Sequence, residues 1–337
     1  MNVTIKHIAD ALGITPSAVS KALNDYPDVS AELKERVRTT AQALNYQPNG
    51  MARGLVKGRS RTIGLFILGH RRTGGFAHPF TVEVMAGIMD GAAEQGYDLV
   101  LFSADGRLLA EAYCNELARR RRVEAMILLG VQADDPGLAT LGVEGPPSVI
   151  LDVPVAGKNV SYVAGNSERG GELAADHLLR LGHRRLLMIN GHRHAAVSYA
   201  RERGFTRVCA AAGITPRIIE GDFTEEGGHR CMNEALEGGA RPTGIFLASD
   251  LMAFGALRAL QGRGLEIPRD VSVVGYDDIA PAAHITPPLT TIRQDRYLYG
   301  RKLADCALAL ITAGTCAPQL VEPTLVVRAS TDRCKEE

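Results

Sequence analysis

The chain has 337 residues, 45% of them apolar and 23% charged with no net charge, which excludes a disordered polymer and leaves room for more than one core. No apolar run approaches the roughly 18–20 uncharged residues of a membrane helix, and the opening MNVTIKHIADALG lacks the order of a signal peptide, so a cytoplasmic location is expected. Six cysteines (Cys114, Cys209, Cys231, Cys306, Cys316 and Cys334) are scattered without a Cys-x-x-Cys pair, which points to reduced thiols rather than a disulfide frame or a zinc site.

Charge is unevenly spread. The first 61 residues carry nine basic and five acidic side chains, an excess of four that the remainder offsets. A basic end on a neutral chain suits nucleic acid. Within it, Ile5, Ile8, Ala9 and Leu12 recur at the spacing of one helix face, with Thr4 at the N-cap and Gly13 at the stop. Thr15 can cap a second helix whose first position is Pro16, where a missing N–H costs nothing. Its Val19, Ala22 and Leu23 face inward, so Ser17, Ser20 and Lys21 face out. A third helix follows Ser30, with Leu33, Val37, Ala41 and Leu44 as its buried stripe. Two short helices on a tight turn, braced by a third, form a helix-turn-helix whose second helix can enter a major groove. Thr15 and Ser20 then suit phosphate oxygens, Ser17 and Lys21 can reach base edges, and Pro16 offers an apolar face to a thymine methyl.

From Thr62 the pattern changes to buried strands (TIGLFIL, DLVLF, AMILLG, SVILD, LLMIN, GIFLA, VSVVG). Helix patterns lie between them near 81–95, 108–120, 169–181, 201–212, 226–236, 250–261 and 296–312. Strand–helix alternation predicts parallel sheets covered on both faces, and this many units predicts two lobes with a ligand cleft at the carboxyl ends of the strands. Enzyme motifs are absent. No strand runs into G-x-G-x-x-G, and there is no phosphate loop, G-x-S-x-G or H-E-x-x-H. His192 and His194 in GHRHAA read as loop residues rather than metal ligands. No catalysis, metal or cofactor is expected.

VTIKHIADALGITPSAVSKALND, continued by VSAELKERVRTTAQALNYQPNGMARGL, resembles the headpiece of the lactose-repressor (LacI) family of bacterial transcription regulators. The resemblance implies a hinge helix at PNGMARGL that orders on operator DNA and wedges Leu55 into the minor groove, with Ala52 and Arg53 beside it. An apolar wedge that unstacks a base step kinks the duplex. Gly50 and Gly54, each about 1 kcal/mol worse than Ala in a helix, suit a hinge that folds only on DNA. The same resemblance adds Thr4, Asn24, Tyr46 and Asn49 to the DNA-facing set. Lys21 stands where the family often has arginine or histidine, and His7 where it commonly has aspartate. Lysine lacks the bidentate fork, so the base it prefers does not carry over.

HPFTVEVMAGI, LGHRRLLMING, ASDLMAFGALRAL, VSVVGYDD and PPLTTIRQD extend the resemblance through nearly the whole chain. It implies an all-α headpiece and hinge, then an α/β two-lobed fold of the periplasmic-binding-protein type (type I), crossed three times by the chain. The expected division is 1–47 headpiece, 48–61 hinge or linker and 62–337 effector and dimerisation domain. Within the last, one lobe takes about 62–160 plus 292–320 and the other about 161–290 plus 321–330. Effector contacts are implied at Phe80, Asp152, Arg201, Ser249, Asp277 and Gln294, with Arg193, Tyr199 and Phe223 completing the set. Without tryptophan, ring stacking falls to Phe or Tyr. A polar set of this kind fits a sugar; a purine or other metabolite is the alternative. GHRRTGGFA is an insertion ahead of the cleft, His78 replaces a frequent asparagine, and GNSERGG lacks the usual aspartate–asparagine pair. Two headpieces on a symmetric operator require a homodimer. The end TLVVRASTDRCKEE brings no leucine heptads, so a dimer is expected rather than a tetramer. The rival classes are a solute-binding transport protein, opposed by the headpiece, and a nucleotide-using α/β enzyme, opposed by the missing phosphate loop.

Overall fold

The computed structural model describes residues 3–46, 60–68, 79–104, 113–143, 145–155 and 157–335. Asn49, Gly50, Ala52, Arg53, Gly54, Leu55, His78 and the Gly69–Ala77 insertion lie outside them. The chain divides into two compact units, residues 1–60 and 61–337.

The first unit holds α1 (Ile5–Leu12), α2 (Pro16–Leu23) and α3 (Ala31–Ala43). Thr15 Oγ1 accepts from Ala18 N at 3.2 Å, and Ser30 Oγ accepts from Leu33 N at 3.3 Å. Gly13 closes α1 at φ 67°, the left-handed geometry that glycine adopts most freely. At the start of α1, His7 Nδ1 accepts from Thr4 N at 3.0 Å. The ring thus fills the acceptor role a carboxylate plays in a capping box, which is how this chain does without the aspartate. Ile8, Ala9, Val19, Ala22, Val37 and Ala41 form the small core, with Tyr46 packed against it.

The second unit is two six-stranded sheets. The first lobe orders its strands β11-β5-β4-β3-β1-β2 and the second β12-β10-β9-β8-β6-β7. Here β1 is Thr62–Leu68, β2 Asp98–Ala104, β3 Ala125–Leu129, β4 Ser148–Leu151, β5 Val160–Gly165 and β6 Leu186–Asn190. Then follow β7 (Arg217–Glu220), β8 (Gly244–Leu247), β9 (Ser272–Asp277), β10 (Thr290–Arg293), β11 (Gln319–Val321) and β12 (Thr324–Val326). All pairings are parallel except β10 with β12. The central strands are buried at every position because helices cover both faces. Those helices are α4 (Pro79–Glu94), α5 (Tyr113–Arg120) and α10 (Arg296–Ala313) on the first lobe. The second lobe carries α6 (Ser167–Arg180), α7 (Ala196–Ala211), α8 (Glu225–Glu237) and α9 (Asp250–Gly262).

Three helix pairs touch backbone to backbone at glycines. A Cβ at Gly87 would strike the Tyr297 carbonyl, one at Gly204 the Glu168 carbonyl and one at Gly255 the Glu225 carbonyl. Their counterparts Gly300, Gly171 and Gly228 are as tightly faced from the other helix.

The chain crosses between lobes after Gly165, after Arg293 and after Val321. The expected bounds of about 160, 290–292 and 320 lie beside these crossings, the first falling short by the length of one strand. Val160–Gly165 runs beside β4, Thr290–Arg293 beside β9, and Gln319–Val321 beside β5. The first and third crossings are tied where Asn166 Nδ2 donates to both Glu322 oxygens at 3.0 and 3.1 Å. Helix α7 begins five residues before the sequence pattern, since Ala196–Ala200 carry no cap signal and Ala195 caps nothing. Expected free, Cys306 and Cys316 are instead joined in a disulfide between the last turns of α10 and the approach to β11, with Cα atoms 5.7 Å apart. The Gly314 turn brings them together, a proximity their spacing in sequence does not signal.

Candidate functional site

The outer face of α2 carries the groove-reading candidates. Thr15, Pro16, Ser17 and Lys21 are exposed and Ser20 half-buried. Lys21 Nζ lies 2.5 Å from Asp28 Oδ2, a surface bridge that can be exchanged for a phosphate or a base edge at little cost. Asn24 Nδ2 donates to Ser20 O at 2.8 Å, so one of its donors is spent closing its own helix. Tyr46 buries part of its ring in the core, and Thr4 is held at the start of α1.

In the second unit a cavity of about 250 Å³ lies between the lobes at the carboxyl ends of their strands. One wall is built by the ends of β1, β3 and β4 and the start of α4, including Phe80, Thr81, Gln132 and Asp152. The facing wall brings His192 and His194 from the loop after β6, Arg201 from α7, Phe223 after β7 and Asp277 from β9. Gln294 lies on the second crossing, between the walls.

Arg201 is the central charge. It is 4% exposed, its Nη1 donates to Ala248 O at 2.5 Å, and its guanidinium lies 3.7 Å over the centre of the Tyr276 ring. Its Nε has no partner among the described residues, leaving a donor for a ligand. Asp152 Oδ1 accepts from Gly165 N at 3.2 Å. Burial pushes the Asp152 carboxyl up to about 6; the Gly165 N–H and Arg201 oppose that rise and Asp277 adds to it. Asp277 is fixed by Gln294 Nε2 at 2.7 Å, and Gln294 Oε1 accepts from Tyr299 OH at 2.8 Å. A chain of hydrogen bonds thus links a first-lobe helix, a crossing and a second-lobe strand end. Behind it, Asp250 accepts from Thr291 Oγ1 at 2.6 Å and Ile279 N at 2.9 Å; burial and the nearby Asp277 hold its carboxyl well above the ordinary range.

Asp152, Phe223 and Asp277 have φ of 63°, 63° and 111°, a region side-chain-bearing residues rarely occupy. Strain of this kind persists where surroundings over-determine the backbone, and it gathers at binding sites. At the mouth, His194 Nδ1 lies 2.9 Å from Asp134 Oδ2 and Ala133 N donates to His194 O at 3.2 Å, closing one lobe on the other. The His194 contact holds the Asp134 carboxyl below its usual range.

Six of the nine effector candidates line the cavity: Phe80, Asp152, Arg201, Phe223, Asp277 and Gln294. Three do not. Arg193 is exposed and grips Glu220, with Nη2–Oε2 at 2.6 Å, and this contact draws the Glu220 carboxyl down to about 2. Tyr199 is 59% exposed, on the solvent side of α7. Ser249 is buried but spent as the N-cap of α9, accepting from Met252 N at 3.2 Å. Thr81, Gln132, His192 and His194 line the cavity although sequence reasoning did not single them out as effector contacts. The usable signal was position: both histidines lie within four residues of the carboxyl end of a buried strand, β6.

Residues 4–49 match the family of bacterial regulatory proteins of the lacI type, and residues 175–331 match the periplasmic binding protein-like domain. The chain is 33% identical over 334 residues to the HTH-type transcriptional regulator CelR of Thermobifida fusca, covering 97% of this chain and 98% of that one. A solved CelR–cellobiose complex superposes with a TM-score of 0.75, at 31% identity over 98% of this chain and 100% of that one. The HTH-type transcriptional repressor PurR of Aliivibrio fischeri is 32% identical over 335 residues, with 97% and 98% covered. The lac repressor dimer bound to operator and the anti-inducer ONPF gives a TM-score of 0.87 at 29% identity, covering 98% of this chain and 100% of that one. Among the described residues no helix is long and apolar enough to cross a membrane. Helical unit, two-lobed fold and full-length likeness agree: the chain belongs to the LacI family of bacterial regulatory proteins, and is a DNA-binding transcriptional regulator rather than an enzyme.

Proposed function

We propose that the protein is a cytoplasmic repressor that binds a palindromic operator as a homodimer, its affinity for DNA switched by a sugar in the cleft between the lobes. The working parts are a 1–47 headpiece, a 48–61 hinge and a 62–337 effector domain. Thr15, Pro16, Ser17, Ser20 and Lys21 read or position the duplex. Asn49, Ala52, Arg53 and Leu55 act in the hinge. The observation that carries the sugar reading is Arg201 flanked by Asp152 and Asp277, with Phe80 and Phe223 as aromatic faces. Carboxylates that accept and a guanidinium that donates match the alternating hydroxyls of a sugar ring, and an aromatic face covers its C–H side. The cavity is smaller than the roughly 300–1,000 Å³ common for ligand sites, which suits a single ring. Ligand shifts the balance between DNA-competent and incompetent dimers by no more than its preference for one of them.

A purine is the second reading, supported by the PurR likeness and by the flat faces of His192 and Phe223, whose rings meet edge-on at 5.4 Å. The test is selection of duplexes from a random pool by the full-length protein, followed by titration of sugars and nucleobases against the selected complex. A near-palindrome released or tightened by a sugar and not by nucleobases supports the first reading. The reverse supports the second. No enriched duplex with any ligand refutes both.

A further inference from the structure

Helix α5 runs into four consecutive exposed arginines, Arg119, Arg120, Arg121 and Arg122. The turn that ends it is tightly closed: Val123 N donates to Ala118 O at 3.0 Å and Arg122 N to Arg119 O at 3.1 Å. Arg122 takes the left-handed position, φ 54°, where helices commonly place glycine. The chain keeps a fourth cation there despite the strain. Among the described residues little opposes this charge. Glu116 lies 3.7 Å from Arg120, and the Glu124 carboxylate accepts from Arg61 N at 2.7 Å and Tyr97 OH at 3.2 Å.

The arginine turn sits at a particular edge. Glu124 N donates to Thr62 O at 2.8 Å, and Asp98 N donates to Arg61 O at 2.9 Å. The four arginines and Arg61 therefore gather at the amino ends of β1, β2 and β3, the end of the sheet away from the cleft. This is also the edge at which the chain enters β1 from residue 60, the last residue of the helical unit.

We propose that this edge, Arg61 with Arg119–Arg122, is a second DNA-contacting surface, which binds backbone phosphates of the duplex flanking the segment read by the headpiece. It rests on the DNA-binding reading of the helical unit. Duplex DNA presents one phosphate per ~1.7 Å of axis, and arginine's planar fork pairs with phosphate in a bidentate way that needs no particular sequence. The surface adds affinity and salt dependence without adding base preference.

The test compares the full-length protein with the R119Q/R120Q/R121Q/R122Q variant on random-sequence duplexes of about 16 and about 40 base pairs, across a salt series. On the long duplex the variant should bind on the order of tenfold more weakly at low salt. Its log K against log salt should be shallower by about 0.9 for each phosphate it no longer neutralises. On the short duplex the two proteins should coincide. A fourfold Arg→Lys variant, which keeps the charge and controls for folding, should retain most of the long-duplex slope. Coincidence of the Gln variant with the parent on the long duplex would show a merely solvated face and overturn the proposal; equal weakening on both lengths would overturn the flanking contact. Lys21→Ala, by contrast, should weaken binding to both lengths, so failure of the headpiece reading shows separately.

Discussion

The helical unit and the cleft reach function by opposite routes. The candidate DNA-reading residues of α2 fall within seven consecutive positions, Thr15 to Lys21, and owe their exposure to one helix with one buried stripe. The six effector candidates that line the cleft come from six separated segments, each side chain aimed by a different strand end, helix or crossing. A short segment on a small core is sensitive to the core beneath it. A dispersed set on two large sheets is sensitive to charge and hydrogen bonding at the site itself.

The largest expected effect probes that difference directly. Ile8→Ala removes a fully buried side chain from a core of six. Such truncations cost about 2–5 kcal/mol, and a unit this small has little stability in reserve. DNA binding should be abolished in a filter or anisotropy assay, while the melting of the two-lobed unit is unchanged. A variant that still binds DNA would show that the headpiece is stabilised by more than its own core.

Asp152→Asn comes next and should act on ligand alone. Losing a charge-assisted acceptor should weaken sugar binding by about 1.5–3 kcal/mol, roughly ten- to a hundredfold, while the unliganded protein becomes no less stable. The pH dependence follows from the raised carboxyl. Between the ordinary value of roughly 3.9 and about 6 the folded protein holds a proton that the unfolded chain releases. Its contribution to stability is therefore present at the acidic end and is lost as pH rises through 6. Affinity for a hydroxyl donor runs the other way, increasing from pH 5 to 7 as Asp152 ionises. Calorimetry at those two values separates the trends, and equal affinity at both would remove Asp152 from the ligand shell.

Arg193→Ala is the smallest expected change. Its partner is Glu220 on the surface, so ligand affinity should stay within about twofold, the scale of an exposed ion pair. A large loss would extend the ligand site beyond the cavity to the mouth.

These contrasts also explain which parts of the molecule are legible in its sequence. Helix caps at Thr15 and Ser30, the stop at Gly13 and the apolar stripes are local properties, and the first three helices followed from them. Central strands were visible as apolar runs, but β7, with exposed Arg217 and Glu220 at its ends, and β5, paired at the lobe border, were not. Missing β5 moved the lobe boundary. Phe80, Asp152, Arg201 and Asp277 were reached through the family likeness and the rule that ligands meet strand ends. That likeness could not tell that Arg193 faces solvent or that Ser249 is consumed by a cap, because both depend on neighbours distant in sequence.

The glycine contacts between helices bear on how motion travels. Where Gly87 meets Gly300, Gly171 meets Gly204 and Gly228 meets Gly255, the helix backbones touch directly, with no side chain at the crossing point that could slide or repack. A lobe pinned in this way would turn as a stiff plate, leaving compliance to the three crossing strands. Drawing the walls of the cleft together is a rotation about that narrow band, and the far edge of each plate sweeps a distance multiplied by its lever arm. A bulkier residue at one of these contacts would soften the plate, so that ligand could still bind while its stroke disappeared.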